Sequence, residues 1–182
     1  SSFDTSNVTD MSDMFGSSQA TTLDLSSFNT SNVTNMSYMF LMSQAITLDL
    51  SSFNTSKIIN MKSMFYNSQA TTLDLSSFDT SNVTDMSDMF GSSQATTLDL
   101  SSFNTSNVTD MSYMFYNSSK LKTIYASDKF NTSKVTSSNY MFNDSTNLVG
   151  GNGTKYNSSY VDKTYARIDA AGIPGYFTLK TN

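Results

Sequence analysis

Aspartates that recur every 25 residues are the first side chains in this sequence whose type and spacing suggest chemistry. Asp24, Asp49, Asp74 and Asp99 each lie in the context Leu-Asp-Leu-Ser-Ser. If the copies stack, these carboxylates lie about 5 Å apart, which favours a bridging cation such as Ca²⁺ or a basic ligand. The same row also fits a solvated acidic surface that discourages sheet association. We favour the acidic surface, because one row supplies few carboxylates per ion and the EF-hand and nonapeptide calcium motifs are absent from the sequence.

A second candidate set consists of side chains that depart from the repeat. Where other copies carry Asp, Gly, Ser or Asn, single copies carry aromatic, aliphatic or basic residues. These ligand-binding candidates are Tyr38, Leu41, Met42, Lys57, Lys62, Tyr66, Tyr113 and Tyr116. Because the consensus at these positions is polar or Gly, we expect them to face solvent and to form a contact patch. Sequence drift, or packing of Tyr66 on Leu41 between copies, explains the same departures equally well.

The composition excludes most enzymatic chemistry. The chain of 182 residues has no His and no Cys, every acidic residue is Asp, and Arg167 is the single arginine. The usual acid–base switch, thiol nucleophiles and zinc ligands are therefore missing. We therefore expect that the protein is not an enzyme. We also expect that it has no cofactor, unless the aspartate row binds calcium. The net charge of −5 argues against nucleic acid as a partner, and no apolar run reaches the length needed for membrane insertion.

An internal repeat of 25 residues determines where both candidate sets lie. The copies occupy 1–25, 26–50, 51–75, 76–100 and 101–125, and the first and fourth are identical. A degenerate sixth copy over 126–149 follows with a two-residue offset, and 150–182 breaks the period and is interpreted as a C-terminal cap. A fixed period predicts a solenoid in which each repeat contacts mainly its neighbours. Because residue 1 begins within a repeat, we expect a leading cap and a secretion signal to lie outside this sequence.

Each copy combines two apolar spacings. Val8, Met11, Met14 and Phe15 follow the spacing of a short helix or 3₁₀ segment, whereas residues 22–25 alternate as a strand does. The sequence therefore predicts an α/β solenoid, a leucine-rich-repeat-like right-handed coil with one short parallel strand and one short helix or 3₁₀ segment per repeat. A helix is about 10 Å thick and paired strands lie under 5 Å apart, so we expect the coils to fan out into a curved horseshoe.

The run LDLSSFNTSNVTNMSYMF at 23–40 resembles the repeat of BspA-like leucine-rich-repeat surface proteins, in the branch found on Gram-positive bacteria and mycoplasmas. Similar runs recur at 48–65, 73–90 and 98–115, and the ending over 148–178 is similar to the way such arrays finish. The resemblance implies a secreted or cell-wall-attached protein of a family that is often described as adhesive and has no known catalytic residues.

Three functions fit the sequence. The first is an adhesin, a binding module for a host or microbial surface protein or glycan, through the departures from the repeat. The second is a passive spacer or a surface filament that self-associates end to end through its first coil. The third is an ice-binding face made of Thr-bearing strands, which Asp at the second outward position disfavours. We favour the adhesin, on the analogy with the family.

Overall fold

A computed structural model describes residues 4–181 of the chain as a solenoid of stacked coils, numbered here as the repeats are. The strands are β1 (Thr47–Leu48), β2 (Thr72–Leu73), β3 (Thr97–Asp99), β4 (Thr123–Ala126) and β5 (Phe177–Leu179). β1 pairs in parallel with β2, and a second parallel sheet has the order β3-β4-β5. Equivalent residues of successive coils are in register, which confirms the parallel solenoid. The ends of the predicted first repeat and cap, residues 1–3 and 182, lie outside the described residues.

Side chains of the strand segments alternate between core and solvent. Leu48 and Leu50 are buried, whereas Thr47 and Asp49 are exposed. Beneath the opposite side of the solenoid, phenylalanine rings of successive coils stack with their centroids 5.4 to 5.9 Å apart. The stack consists of Phe15, Phe40, Phe65, Phe90, Phe115 and Phe142. Burial of these rings and their stacking join each coil to the next.

The short helix or 3₁₀ segment predicted in each copy is absent from the described coils, and successive turns take its place. In coil 1, the N–H of Gly16 donates to the carbonyl of Asp13 and the N–H of Ser18 donates to that of Phe15. Asp13 and Ser17 have φ angles of 57° and 55°, in the left-handed region that interrupts a helix. The N–H groups of Asp13, Phe15 and Ser17 donate to carbonyls of coil 2, at 3.0, 2.9 and 2.7 Å. This corrects the predicted helix, because a helix would satisfy those groups within its own coil.

The turn side of the solenoid therefore carries a ladder of its own. Parallel bridges link equivalent residues of successive coils, in the order Asp10, Asn35, Asn60, Asp85, Asp110 and Ser137. Hydrogen-bonded ladders advance by about 4.8 Å per strand on either side of the coil. We expected a curved horseshoe because a helical side would be thicker than the strand side. The described coils have no helical side, so this cause of curvature is missing from them.

A buried threonine fastens each of coils 1 to 5 to the next. The Oγ1 of Thr30 donates to the carbonyl of Asn54 at 3.0 Å and accepts from the N–H of Asn54 at 2.8 Å. The same double hydrogen bond is made by Thr5, Thr55, Thr80 and Thr105. These hydroxyls satisfy backbone groups between the strand side and the turn side, where no backbone ladder runs in the described coils.

Residues 150–181 fold against the last coils. β5 adds to the edge of β4, and a 3₁₀ helix spans Lys163–Tyr165. The ring of Tyr176 is fully buried and lies edge-on to Phe142, the last ring of the stack, at 5.1 Å. This segment therefore covers the core of coil 6. In residues 4–181, no helix has the length and apolar character that a membrane span requires.

A buried carboxylate holds this C-terminal segment together. Asp169 is 7% exposed and accepts hydrogen bonds from the N–H groups of Asn152 and Thr154, at 2.8 and 2.9 Å, and from the hydroxyl of Thr154 at 2.7 Å. Burial alone would raise the pKa of Asp169. The hydrogen bonds, with a further one from Gly175, outweigh burial and hold that pKa below its usual value. The carboxylate is therefore ionised, and its hydrogen bonds hold the loop that contains Asn152 and Thr154.

Candidate functional site

Most of the predicted contact residues lie on the turn side of the solenoid. We call the residues at 37–42, 62–67, 87–92 and 112–117, with their equivalents in coils 1 and 6, the turn face. One row of this face runs through Asp13, Tyr38, Ser63, Asp88, Tyr113 and Tyr140, all with positive φ. An L-residue in this conformation costs on the order of 1 kcal/mol, and Asp or Asn tolerates it better than Tyr. The fold therefore does not require aromatic residues in this row.

The first group on the turn face joins coils 2 and 3, and we call it the coil 2–3 cluster. It consists of Tyr38, Leu41, Met42, Lys62 and Tyr66. The N–H of Tyr38 donates to the carbonyl of Lys62 at 2.8 Å, and the N–H of Met42 donates to that of Tyr66 at 2.8 Å. Met42 is 45% exposed, and the other four side chains are half-buried. The ladder thus places an apolar and basic surface across two adjacent coils.

Tyr66 has a packing role as well. Its ring lies over Gly91 of coil 4, where a Cβ atom would approach Cδ2 of Tyr66 to 2.7 Å. Gly91 is buried beneath that ring. The alternative that Tyr66 packs between coils therefore holds in part. The contact is with Gly91, whereas we had considered packing on Leu41.

The second group joins coils 5 and 6, and we call it the coil 5–6 cluster. The rings of Tyr113 and Tyr140 stack with centroids 5.4 Å apart, and Tyr116 lies edge-on to Tyr113 at 5.6 Å. Tyr113 is 36% exposed and Tyr140 is 52% exposed. The sequence reasoning missed Tyr140, although the two-residue offset of the sixth copy aligns it with Tyr113.

Coil 4 separates the two clusters. It carries Asp88, Gly91 and Ser92 where coils 3 and 5 carry Ser or Tyr, Tyr, and Asn, respectively. Asp88 is half-buried, and this burial raises its pKa; the charges of Asp110 and Asp85 add to the rise, and that of Lys62 opposes it. The eight predicted residues do not form one patch. Seven of them form two patches with an acidic coil between them.

Lys57 belongs to neither cluster. Its Nζ donates to Oδ1 of Asn32 at 2.8 Å, in a row where asparagines of other coils reach the carbonyl of the preceding coil. Lys134 makes the equivalent contact with Asn107 at 2.7 Å. Lys57 therefore continues a ladder between coils, at some distance along the coil from the turn face.

The aspartate row lies on the strand side. Serine hydrogen bonds hold the pKa of Asp24, Asp49 and Asp74 below its usual value, so the carboxylates stay ionised. Asp99 ends the row and forms an ion pair with Lys180 at 2.9 Å. Within residues 4–181, no group of three or more His, Cys, Asp or Glu side chains is arranged to hold a metal ion.

An apolar cleft of about 270 Å³ opens at coil 1, lined by Asp4, Thr5, Val8, Met14, Phe15 and Phe28. Met14 is 45% exposed there, whereas its equivalents in later coils are buried. Residues 1–3 adjoin the cleft in the sequence and lie outside the described part of the chain, so we assign no site to it.

Comparison with known families identifies the repeat. The family described as "Mycoplasma protein of unknown function, DUF285" matches residues 1–98 and, in an overlapping second match, residues 43–156. The chain belongs to this family. Neither a curated protein nor a solved structure matches the chain significantly. The chain is thus a repeat protein of a mycoplasma family whose function is unknown.

Proposed function

We propose that this DUF285 protein is a binding module, an adhesin that contacts a host or microbial surface protein or glycan through its turn face. The observation that supports this most is the coil 2–3 cluster. Coils 1 and 4 show that Asp, Gly and Ser satisfy the fold at the same positions. Tyr38, Leu41 and Met42 are therefore not explained by the fold alone, and aromatic and Met side chains that are at least partly exposed are typical of contact surfaces.

The mechanism is broad contact on a rigid surface. Backbone ladders on two sides and the threonine hydrogen bonds fix the turn face, so little conformational entropy is lost when a large partner docks. Contacts through a few side chains are weak individually, and many copies on one surface would supply avidity. We assign no catalytic residues and no cofactor to this function.

The proposal places the protein outside the cell, secreted or attached to the cell surface. This location and the closer assignment to BspA-like proteins rest on the resemblance of the LDLSSF-type runs. Membership of a mycoplasma repeat family supports them.

A panel of immobilised fibronectin, fibrinogen, collagen, mucin and glycans tests the proposal by surface-binding kinetics. The test variant combines Tyr38→Ser, Leu41→Gly, Met42→Ser and Lys62→Ser, each of which introduces a residue that another coil carries at the same position. The fold should therefore be retained. The control is Ile59→Thr, which removes a 49% exposed side chain from a row where other coils carry Thr.

We expect saturable binding to at least one ligand, lost in the test variant and kept in Ile59→Thr. Binding that the test variant retains would refute the assignment to the coil 2–3 cluster. Binding lost only with a calcium chelator would move the site to the aspartate row.

A passive spacer or self-associating filament is the alternative. The continuous phenylalanine stack supports it, because uniform packing along the axis suits a stiff rod. If no ligand of the panel binds and light scattering shows end-to-end oligomers, this function would be favoured over the adhesin.

A further inference from the structure

The coil 5–6 cluster has a chemistry that the proposed function does not use. Tyr113 and Tyr140 adopt φ angles of 59° and 56°, where Asp and Ser occupy the same row in other coils. Both rings are substantially exposed, and they stack on each other at 5.4 Å. Two exposed aromatic rings are thus held in a backbone conformation that disfavours them, which points to selection for something other than folding.

Carboxylates flank these rings. Asp88 precedes Tyr113 in the same row, one coil away, and the N–H of Asp88 donates to the carbonyl of Ser112 at 2.8 Å. Asp85 and Asp110 lie close enough for their charges to act on Asp88. Asp144 is exposed in coil 6. Two cations lie nearby. The charge of Lys62, in coil 3, acts on Asp88 from the other side, and the backbone N–H of Lys163 donates to the hydroxyl of Ser138, two residues before Tyr140. The four carboxylates outnumber these two cations.

The chain already holds a cation in an arrangement of this kind on its opposite side. The Nζ of Lys180 lies 4.7 Å from the centroid of the Tyr125 ring and 2.9 Å from Oδ2 of Asp99. Asp99 and Tyr125 are register partners on adjacent parallel strands. On the turn face, Asp88 likewise has a tyrosine, Tyr113, one coil further on in the same row, and the N–H of Asp88 donates to the carbonyl of Ser112, the residue before Tyr113.

We propose that the coil 5–6 cluster, together with Asp88 and Asp110, is a docking surface for a cationic, extended polypeptide segment. Arg or Lys side chains of the partner would lie against the rings of Tyr113 and Tyr140 and pair with the two carboxylates. Cations bind aromatic faces within about 6 Å of the centroid, and Arg also stacks on the ring. A neutral sugar fits less well, because it would leave the carboxylates of Asp88 and Asp110 without a cationic partner.

This surface is independent of the coil 2–3 cluster. Its rings belong to coils 5 and 6, and its partner is recognised by charge and by cation–π contact, whereas the coil 2–3 cluster is apolar and basic. Asp88 of coil 4 lies at the boundary, where the charge of Lys62 also acts on it. The proposal therefore goes beyond the adhesin function, and either can fail alone.

Fluorescence polarisation with a dye-labelled peptide of alternating Gly and Arg tests the proposal on the full chain. The double variant Tyr113→Ser/Tyr140→Ser removes both rings. Serine is accepted in this row, because Ser63 occupies the equivalent position in coil 3. Asp88→Asn/Asp110→Asn removes the charges; Asn35 and Asn60 occupy the row of Asp110 and make the same turn hydrogen bond. Asp49→Asn on the strand side is the control for loss of an exposed charge. Unchanged circular dichroism and melting curves establish that each variant folds.

We expect the double Tyr variant to weaken binding about five- to thirty-fold, the effect of losing two cation–π contacts. The double Asp variant should weaken binding and reduce its dependence on salt, whereas Asp49→Asn should leave it within about two-fold. A matching peptide of Gly and Glu should not bind. The proposal is overturned if Asp49→Asn weakens binding as much as the double Asp variant, if the double Tyr variant binds normally, or if neutral glycans displace the peptide.

Discussion

Replacing one buried threonine should loosen the solenoid between two coils. Thr80 is fully buried, its Oγ1 donates to the carbonyl of Asn104 at 2.9 Å, and it accepts from the N–H of Asn104 at 2.9 Å. Thr80→Val keeps the shape and removes the hydroxyl, so both backbone groups lose their partner. Each unsatisfied group costs about 1–3 kcal/mol, and Asn104 is half-buried, so we expect a loss of about 2–4 kcal/mol.

Urea unfolding followed by circular dichroism measures this loss, and hydrogen exchange at the Asn104 amide localises it. Thr84→Val is the matched control, because Thr84 is exposed and its hydroxyl donates to the carbonyl of Ile59, which also accepts from the N–H of Thr84. That carbonyl keeps a partner, so we expect a change within about 0.5 kcal/mol. Equal losses in the two variants would refute the account of the threonine hydrogen bonds.

Three further predictions concern the core, the cap and the ion pair. Phe90→Ala should cost about 3–5 kcal/mol in urea unfolding, and Phe15→Ala less, because Phe90 stacks between two rings and Phe15 is half-buried. Asp169→Asn should lower the melting temperature at neutral pH. The folded-state pKa of Asp169 is depressed, so its contribution is full above about pH 4 and is lost as pH falls through that pKa; a difference from wild type that grew on acidification would contradict this. In urea unfolding, Lys180→Met should leave stability nearly unchanged, and any loss should shrink in high salt, because both partners of the ion pair are some 40% exposed.

The repeat made the inside and outside of each coil predictable. Identical copies must stack in register, so the inward positions of Leu48 and Leu50 follow from the alternation of one strand. The helix did not follow, because the spacing of Met11, Met14 and Phe15 suits a helical stripe and a run of turns equally. The deciding interaction is a hydrogen bond from Phe15 to the next coil, 24 residues away in sequence at Met39, which local spacing does not encode.

The sequence predicted most residues of the candidate site, but it did not predict that they form two separate clusters. Departure from a polar consensus identified Tyr38 and Tyr113 as surface residues. The grouping depends on contacts between coils. These contacts place an acidic coil between the two clusters, the ring of Tyr66 over Gly91, and Lys57 in a row of hydrogen bonds between coils. Side-chain contacts of this kind are set by the stacking geometry and by which neighbours are small.

The central claim is that the coil 2–3 cluster binds a surface partner. The measurement that tests it most directly is the dissociation constant of the best ligand in the panel, for the wild type, the four-substitution variant and Ile59→Thr. The account predicts that the four-substitution variant loses saturable binding while Ile59→Thr keeps the wild-type value. Equal affinities for all three proteins would contradict it.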